Sequence, residues 1–495
     1  MDQVNGYPMP PEGVEAPFDT GKRELRFLAA VTVISILLVN FVLYGGFYLG
    51  FTIVSACSIV AATVYLLRSG CKPDGYSATL LVLSLVICGS FARSNDGFVK
   101  FVMVCFLLVS ANLGLCLLAG QNRRDPAGAG SLLDAPRAGL TLGWGKMGPA
   151  FRGLNEARKN LGTNGKNRSA VLVGLLIAVP VLAILIPLLI SADAAFEGLL
   201  NLLPRMDVSE PVASVILGLF AACVVYTRGV ALAKNKQKAA EEKKHKRMHP
   251  LTVNTVLIMV SLLYAVYLFS QLAYISGGLA GILPEEFTMA EYARRGFFEM
   301  VWLVAINLAL ITGTVALTGG RESKLSTRIL CLVIGAVTLF LVATAVAKMV
   351  MYIDSYGLTR LRVLTTVIMA FLAVTTVTVS LWLILPKIPY MKWIVLAGLL
   401  IGAVTAWVDV DTVVAAYNVG AYQSGKLETV DIHHLCSLSD GAIPYIEELA
   451  LSGREDAITI HARQHLEDRG QKIEDFRNWS IAGAEADYIT DQWGQ

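Results

Sequence analysis

The residues of this sequence with chemistry to offer are charged side chains set at helical spacing beside long apolar runs. In EYARRGFFE, Glu291, Arg295 and Glu299 recur every four residues, so a helix carries them as one stripe with the guanidinium between two carboxylates. Arg294 leaves that stripe and is free to meet headgroup phosphate. A second stretch, KMVMYIDSYGLTRLR, brings Lys348, Asp354, Arg360 and Arg362 together with Tyr352 and Tyr356. Guanidinium and ammonium groups gathered with a few carboxylates bind anionic or zwitterionic groups through charge-assisted, often bidentate, hydrogen bonds. The same eight residues can instead form a salt-bridge network that locks two helical hairpins together, and the spacing permits both readings. As a binding set, Arg294 and Arg360 contact the ligand, while Glu299 and Lys348 hold the geometry. Asp193 and Glu197, one helical turn apart, are candidates for an acidic wall or simply a solvated helix end.

The elements that must position these residues are membrane helices. Of the 495 residues, 55% are hydrophobic and 16% charged, with a mean hydropathy of +0.60; soluble domains carry roughly 25% charged residues. A crossing of about 30 Å takes roughly 20 residues at 1.5 Å each. Apolar runs of that order lie near 26–44, 47–67, 76–92, 98–119, 169–190, 211–232, 251–272, 297–318, 329–351, 363–385 and 393–408, which makes about eleven spans. The expected fold is therefore an all-α polytopic bundle.

Loop charge sets the orientation. The connection 120–168 holds nine Lys or Arg against three acids, and further basic clusters lie at 234–247, at Arg321, Lys324 and Arg328, and at Lys387 and Lys392. These fall at alternate connections, which places them and the N-terminus inside. The connection 191–210, the EYARR mouth, the YGLTRLR turn and everything after Val408 then lie outside. Residues 1–25, polar and without a signal-peptide pattern, read as a disordered cytoplasmic start. A four-span unit over 26–119, a basic loop over 120–168, a seven-span core over 169–408 and an acidic helical unit over 409–495 follow. In that last unit sixteen Asp or Glu stand against six Lys or Arg, a net charge of −10. The overall pI of about 8.3 therefore reports loop orientation and gives no reason to expect a nucleic-acid partner. Within the unit, Val413, Val414, Tyr417 and Ala421 share a helical face, Ser439 or Asp440 is placed to cap a helix through Ile443, Ile446 and Leu449, and a helix runs from Arg454 to Arg469.

Other motifs point to less. His461 and His465 have the i, i+4 spacing of metal ligands, with His433 and His434 nearby, but Ala462 stands where a metalloprotease carries Glu. GWGKMG, residues 143–148, matches a dinucleotide fingerprint in letters while following no strand. None of the eight cysteines makes a Cys-x-x-Cys pair. Pro180 and Pro187 interrupt one span as a packing kink or a broken transport helix, and Gly46/Gly50 and Gly398/Gly402 allow close helix contact. No catalytic residue, metal set or cofactor signature stands out, so the expected activity is not enzymatic, with Tyr352 or Tyr356 beside Lys348 the one place for the contrary.

EYARRGFFEM, YGLTRLRV, AAYNVGAYQSGK, SLSDGAIP and DFRNWSIAGAEA occur in that order, and over Ala170 to Ala486 the sequence resembles an uncharacterised bacterial multispanning membrane-protein family, labelled as a domain of unknown function of the four-one-seven-three and four-one-five-three type. The resemblance implies a bacterial plasma membrane and brings no activity, substrate or catalytic residue. Two functions fit: binding or transport of a charged solute or lipid headgroup at an outer-leaflet charge cluster, or an envelope scaffold whose C-terminal unit docks a protein partner.

Overall fold

The structure, a computed structural model, describes residues 22–121, 209–234, 248–279, 297–318, 324–453, 456–469, 473 and 475–493. Its long helices are α1 Lys22–Asn40, extended by a π-turn Phe41–Gly45, α2 Leu49–Arg68, α3 Gly75–Ser90, α4 Gly97–Leu118, α5 Ser209–Lys234, α6 Pro250–Leu279, α7 Phe297–Thr318, α8 Leu325–Tyr356, α9 Arg360–Ile384 and α10 Tyr390–Val408. Among the described residues nine helices are long and apolar enough to cross a membrane. α3, with 16 residues, is shorter, and the run expected at 169–190 lies outside the described residues. Helices form here because the apolar runs offer each backbone N–H no partner but its own i−4 carbonyl. Polar caps then fix the ends. Asp74 and Ser77 make a reciprocal capping box at α3, and Thr359 caps α9. Gly357, at φ 74°, turns the chain out of α8.

The bundle is apolar inside and outside. Phe101, Leu263, Val266, Phe269 and Trp302 are all more than 60% exposed, a surface that only lipid makes tolerable. One core joins α1–α5 with α10, and two smaller clusters join α6–α9. Inside the second group Tyr264 donates to Asn307 Oδ1 (2.6 Å), and Asn307 Nδ2 donates to Thr338 (3.0 Å). α8 has 32 residues and is about 48 Å long, more than the roughly 30 Å of hydrocarbon. Its last turns, with Asp354 and Tyr356, therefore reach beyond the apolar layer.

Close helix approach depends on Gly402, a member of one expected pair, and on Gly218, which no pair identified. A Cβ on Gly218 of α5 would stand 2.5 Å from the Ile36 Cα of α1, whereas one on Gly402 of α10 would meet the end of the Phe106 ring of α4, also at 2.5 Å. A ring can swing aside and a backbone cannot. Gly218→Ala is accordingly expected to cost about 1–3 kcal/mol as an overpacked contact and Gly402→Ala distinctly less. Thermal midpoints of the two variants in detergent check the order.

After Val408 the chain forms α11 Val410–Gln423, α12 Ile432–Cys436, a 3₁₀ turn Asp440–Ala442, α13 Ile443–Ala450, α14 Ala457–Asp468, a 3₁₀ turn Phe476–Asn478 and α15 Ile481–Trp493. These share a core of their own around Val419, Leu435, Ile446, Leu466 and Ala486. Val414 and Ala421 are buried on α11 as one face requires. α14 starts later than expected, because Asp456 supplies the cap by accepting from Thr459 N (2.8 Å). Asp440 opens a 3₁₀ turn rather than capping α13, since its carboxylate is taken by Asn95 and Arg469.

The helix ends sort into two sets. Arg23 donates to the Arg68 carbonyl, Gln121 to that of Leu232 and Met248 N to that of Leu317, which joins the ends of α1 and α2, of α4 and α5 and of α6 and α7, those of α4–α7 adjoining basic connections. At the opposite ends the terminal helices are bound to the bundle.

Candidate functional site

The densest charge constellation of the described residues lies at that junction, between the α3–α4 link, the first turns of α9 and α11, and the terminal helices. Asp96 caps α4, Oδ1 accepting from Phe98 N (2.9 Å) and Val99 N (3.2 Å), and turns Oδ2 toward Arg360 Nε at 3.2 Å. Arg360 is the first residue of α9, where the helix dipole disfavours a cation. Two carboxylates offset that, because Asp411 also accepts from Nε (2.7 Å) and Nη2 (2.5 Å) as a bidentate pair. Asp411 is fully buried, and its Oδ2 also accepts from Ser439 N at 2.8 Å. Burial alone would raise the Asp411 carboxyl; the Arg360 and Ser439 hydrogen bonds hold it below the usual carboxylate range.

Two residues earlier, Asp409 sits differently. It is the single non-glycine residue at positive φ (61°) among those described, it is 1% exposed, and it precedes α11 without capping it. A backbone held there stores of the order of 1–3 kcal/mol. Its Oδ1 accepts from Ser94 Oγ (2.8 Å) and its Oδ2 from Thr412 Oγ1 (2.9 Å). Burial pushes this carboxyl up, against those two hydrogen bonds, with the Asp411 charge adding to the rise. Gly441 belongs here as well: a Cβ on it would collide with Asp409 Oδ2 and Thr412 Oγ1.

Lys100 lies one turn into α4 from Asp96, 7% exposed, its ammonium 3.2 Å from the centre of the Tyr48 ring. Its electrostatic neighbours are Asp440, Asp409 and Asp96, yet Nζ finds no hydrogen-bond acceptor among the described residues. An ammonium buried that way is costly.

The terminal helices are fastened to the same link, and to the start of α2, by their backbones. Ile481 N donates to the Ala92 carbonyl (2.8 Å), Ala482 N to that of Arg93 (3.2 Å) and Leu49 N to that of Trp479 (3.1 Å). Asn95 donates to Asp440 and accepts from Ser480 Oγ (2.7 Å), and Arg469 Nη2 reaches Asp440 at 2.7 Å and Asp487 at 3.8 Å. Four of the five stretches that carry the family resemblance meet in this seam. Asn418 of AAYNVGAYQSGK brackets the Leu358 backbone of YGLTRLRV, accepting from N (2.7 Å) and donating to O (2.8 Å). SLSDGAIP supplies Ser439, Asp440 and Gly441, and DFRNWSIAGAEA supplies Trp479 to Ala482.

Of the eight residues expected to form one ligand-binding constellation, Glu291, Arg294 and Arg295 lie outside the described residues. So do Asp193, Glu197, Pro180, Pro187 and the 143–148 loop. Glu299 is exposed on the first turn of α7, and Lys348 is half-buried on α8. Asp354 takes Lys426 at 2.7 Å, with Tyr417 OH at 3.4 Å. Arg362 donates to the carbonyls of Tyr356 (3.1 Å) and Gly357 and lies over the Tyr352 ring. Arg360 alone of the described five enters the seam. Asp96, Lys100, Asp409, Asp411 and Asp440 were not anticipated, although Asp96 and Lys100 stand at i, i+4 where a span begins, and two aspartates follow directly where another ends. His433 and His461 meet edge to face, their ring centres 5.0 Å apart, and among the described residues no three His, Cys, Asp or Glu form a group that could hold a metal ion.

A family model described as a domain of unknown function, DUF4153, matches residues 75–449. The likeness thus begins at α3, well before the expected Ala170, and ends before DFRNWSIAGAEA. It includes every seam residue from Asp96 to Asp440. No curated protein and no solved structure matches the chain.

Proposed function

Because the chain belongs to the DUF4153 family and is an integral membrane protein, its helices in contact with the lipid bilayer, we propose that it binds a charged solute or lipid headgroup at the seam where the terminal helices close over the bundle. It does so as a transporter or receptor of the bacterial plasma membrane, with the seam on the extracytoplasmic side. The observation that carries this reading is Lys100, an ammonium buried beside three carboxylates without an acceptor of its own. A ligand's anionic or carbonyl oxygen completes that shell. Arg360, committed to Asp96 and Asp411, holds the geometry, and the ligand contact moves from it to Lys100. Of the other charges, Glu299 on α7, Lys348 and Asp354 on α8 and Arg362 on α9 line the approach from the neighbouring hairpins.

Native mass spectrometry of the full-length protein in detergent tests this. Wild type is expected to carry a noncovalent adduct that Lys100→Met, which keeps the side-chain length and removes the charge, has lost. Equal adducts on both proteins, or none on wild type, overturn the reading.

A further inference from the structure

We infer that the seam also binds a proton and that Asp409 is the residue that holds it. The inference deepens the proposed function by assigning the ion that accompanies the solute, and its ligand-coupling arm rests on Lys100 being the solute contact. Asp409 and Asp411 are equally buried two residues apart, and their partners differ in kind. Asp411 is held by a guanidinium and a backbone N–H, donors that commit it to the carboxylate. Asp409 meets only the Ser94 and Thr412 hydroxyls and has no ion pair among the described residues. A hydroxyl donates or accepts by rotation, so the same pair serves a carboxylate or a carboxylic acid. The positive φ matters too, since it keeps the Asp409 side chain out of the helix-capping role in which N–H groups would favour its charge.

The groups facing Asp409 divide by sign. Asp411 opposes its ionisation, Arg93 and Lys100 favour it, and the Arg360 charge is already shared between Asp96 and Asp411. Lys100 is the one of these cations that is buried without a hydrogen-bond acceptor, and it points the site toward an anionic ligand. An anion that neutralises Lys100 removes a charge stabilising the Asp409 carboxylate. Binding of anion and proton is then mutually favourable, by the reciprocity of linked equilibria.

Infrared difference spectroscopy of the full-length protein across a pH titration tests the assignment. Wild type is expected to show a protonated-carboxyl band whose midpoint lies above the ordinary carboxylate range; Asp409→Asn, which mimics the protonated acid and preserves both hydroxyl partners, loses that band, and the exposed-site control Glu485→Gln keeps it. Thermal stability gives a second readout. A raised carboxyl stabilises the fold below its unfolded value and loses that contribution as pH rises through the folded one, so the wild-type midpoint declines over that window and the Asp409→Asn profile is flatter. An unchanged band in Asp409→Asn, or superimposable stability profiles, overturns the inference. It is also overturned if wild type shows no band while sodium in place of choline stabilises wild type and not the variant, because the occupant is then a hard cation. If Lys100→Met keeps its adduct while the Asp409 band behaves as expected, the solute reading fails and the proton site stands; the reverse pattern removes the proton site alone.

Discussion

Arg360→Ala should lower the stability of the folded protein by about 3 kcal/mol, the lower end of the cost of breaking a buried ion pair. The lower end applies because about a third of the Arg360 side chain reaches solvent while Asp411 and Asp96 are 0% and 1% exposed. Removing the guanidinium leaves two carboxylates in the seam facing each other and Asp409, with Ser439 N and the α4 amides as their remaining donors. Asp411 is expected to recover by protonation, so the deficit of the variant shrinks as pH falls through the carboxylate range. That is the opposite of wild type, in which the depressed Asp411 loses its contribution over the same window. Arg360→Lys restores little, since an ammonium cannot reproduce the two parallel bonds to Asp411 together with the approach to Asp96. Chemical or thermal unfolding in detergent at several pH values reads the magnitude. Limited proteolysis reads the location, with cleavage expected first between the bundle and the terminal helices. An Arg360→Ala protein with wild-type stability and an unchanged cleavage pattern would show that the seam does not depend on this pair.

Asn418→Ala should cost a similar amount, about 3 kcal/mol, by a different route. Asn418 is 6% exposed and occupies both the N–H and the C=O of Leu358, the residue that follows the end of α8 and precedes the cap of α9. Truncation leaves two buried backbone groups without partners, at about 1–3 kcal/mol each. The arrangement is also tied to Gly357, at φ 74°, where a Cβ would stand 2.5 Å from Asn418 Oδ1. Gly357→Ala is therefore expected to be harmful twice, through backbone strain and by displacing the asparagine. Amide hydrogen exchange discriminates loss of this clamp from general unfolding: protection of residues 356–362 is expected to fall in Asn418→Ala, with that of the α9 interior retained. Equal exchange in both proteins would assign the turn's stability elsewhere.

How far these sites are legible in the sequence depends on the range of the interactions that build them. Lys348 to Arg362 reads as a turn because its glycine, threonine and charges interrupt apolar runs, and the turn is there, with Thr359 capping and Gly357 reversing. The partners of its charges were not readable in the same way. Asp354 has Lys426 as its partner, 72 residues away, and Arg360 has Asp411, 51 residues away, because α11 folds back across the turn. Arg362 bonds to carbonyls of its own turn, a choice that only the realised backbone can offer. In the seam the separations are larger still, 315 residues for Ser94 and Asp409 and 345 for Asn95 and Asp440.

The sequence by itself determined that this protein is a bundle of membrane helices followed by capped amphipathic ones, since hydropathy over 20 residues and side-chain caps act within a few turns and need no knowledge of neighbours. Only the tertiary structure decided that the terminal helices seal one end of that bundle and that Asp96, Lys100, Arg360, Asp409 and Asp411 share one buried space. A charge near a span end has many partners it can reach through snorkelling and solvent. Which one it meets is fixed when packing removes water from around it, and that depends on every helix at once.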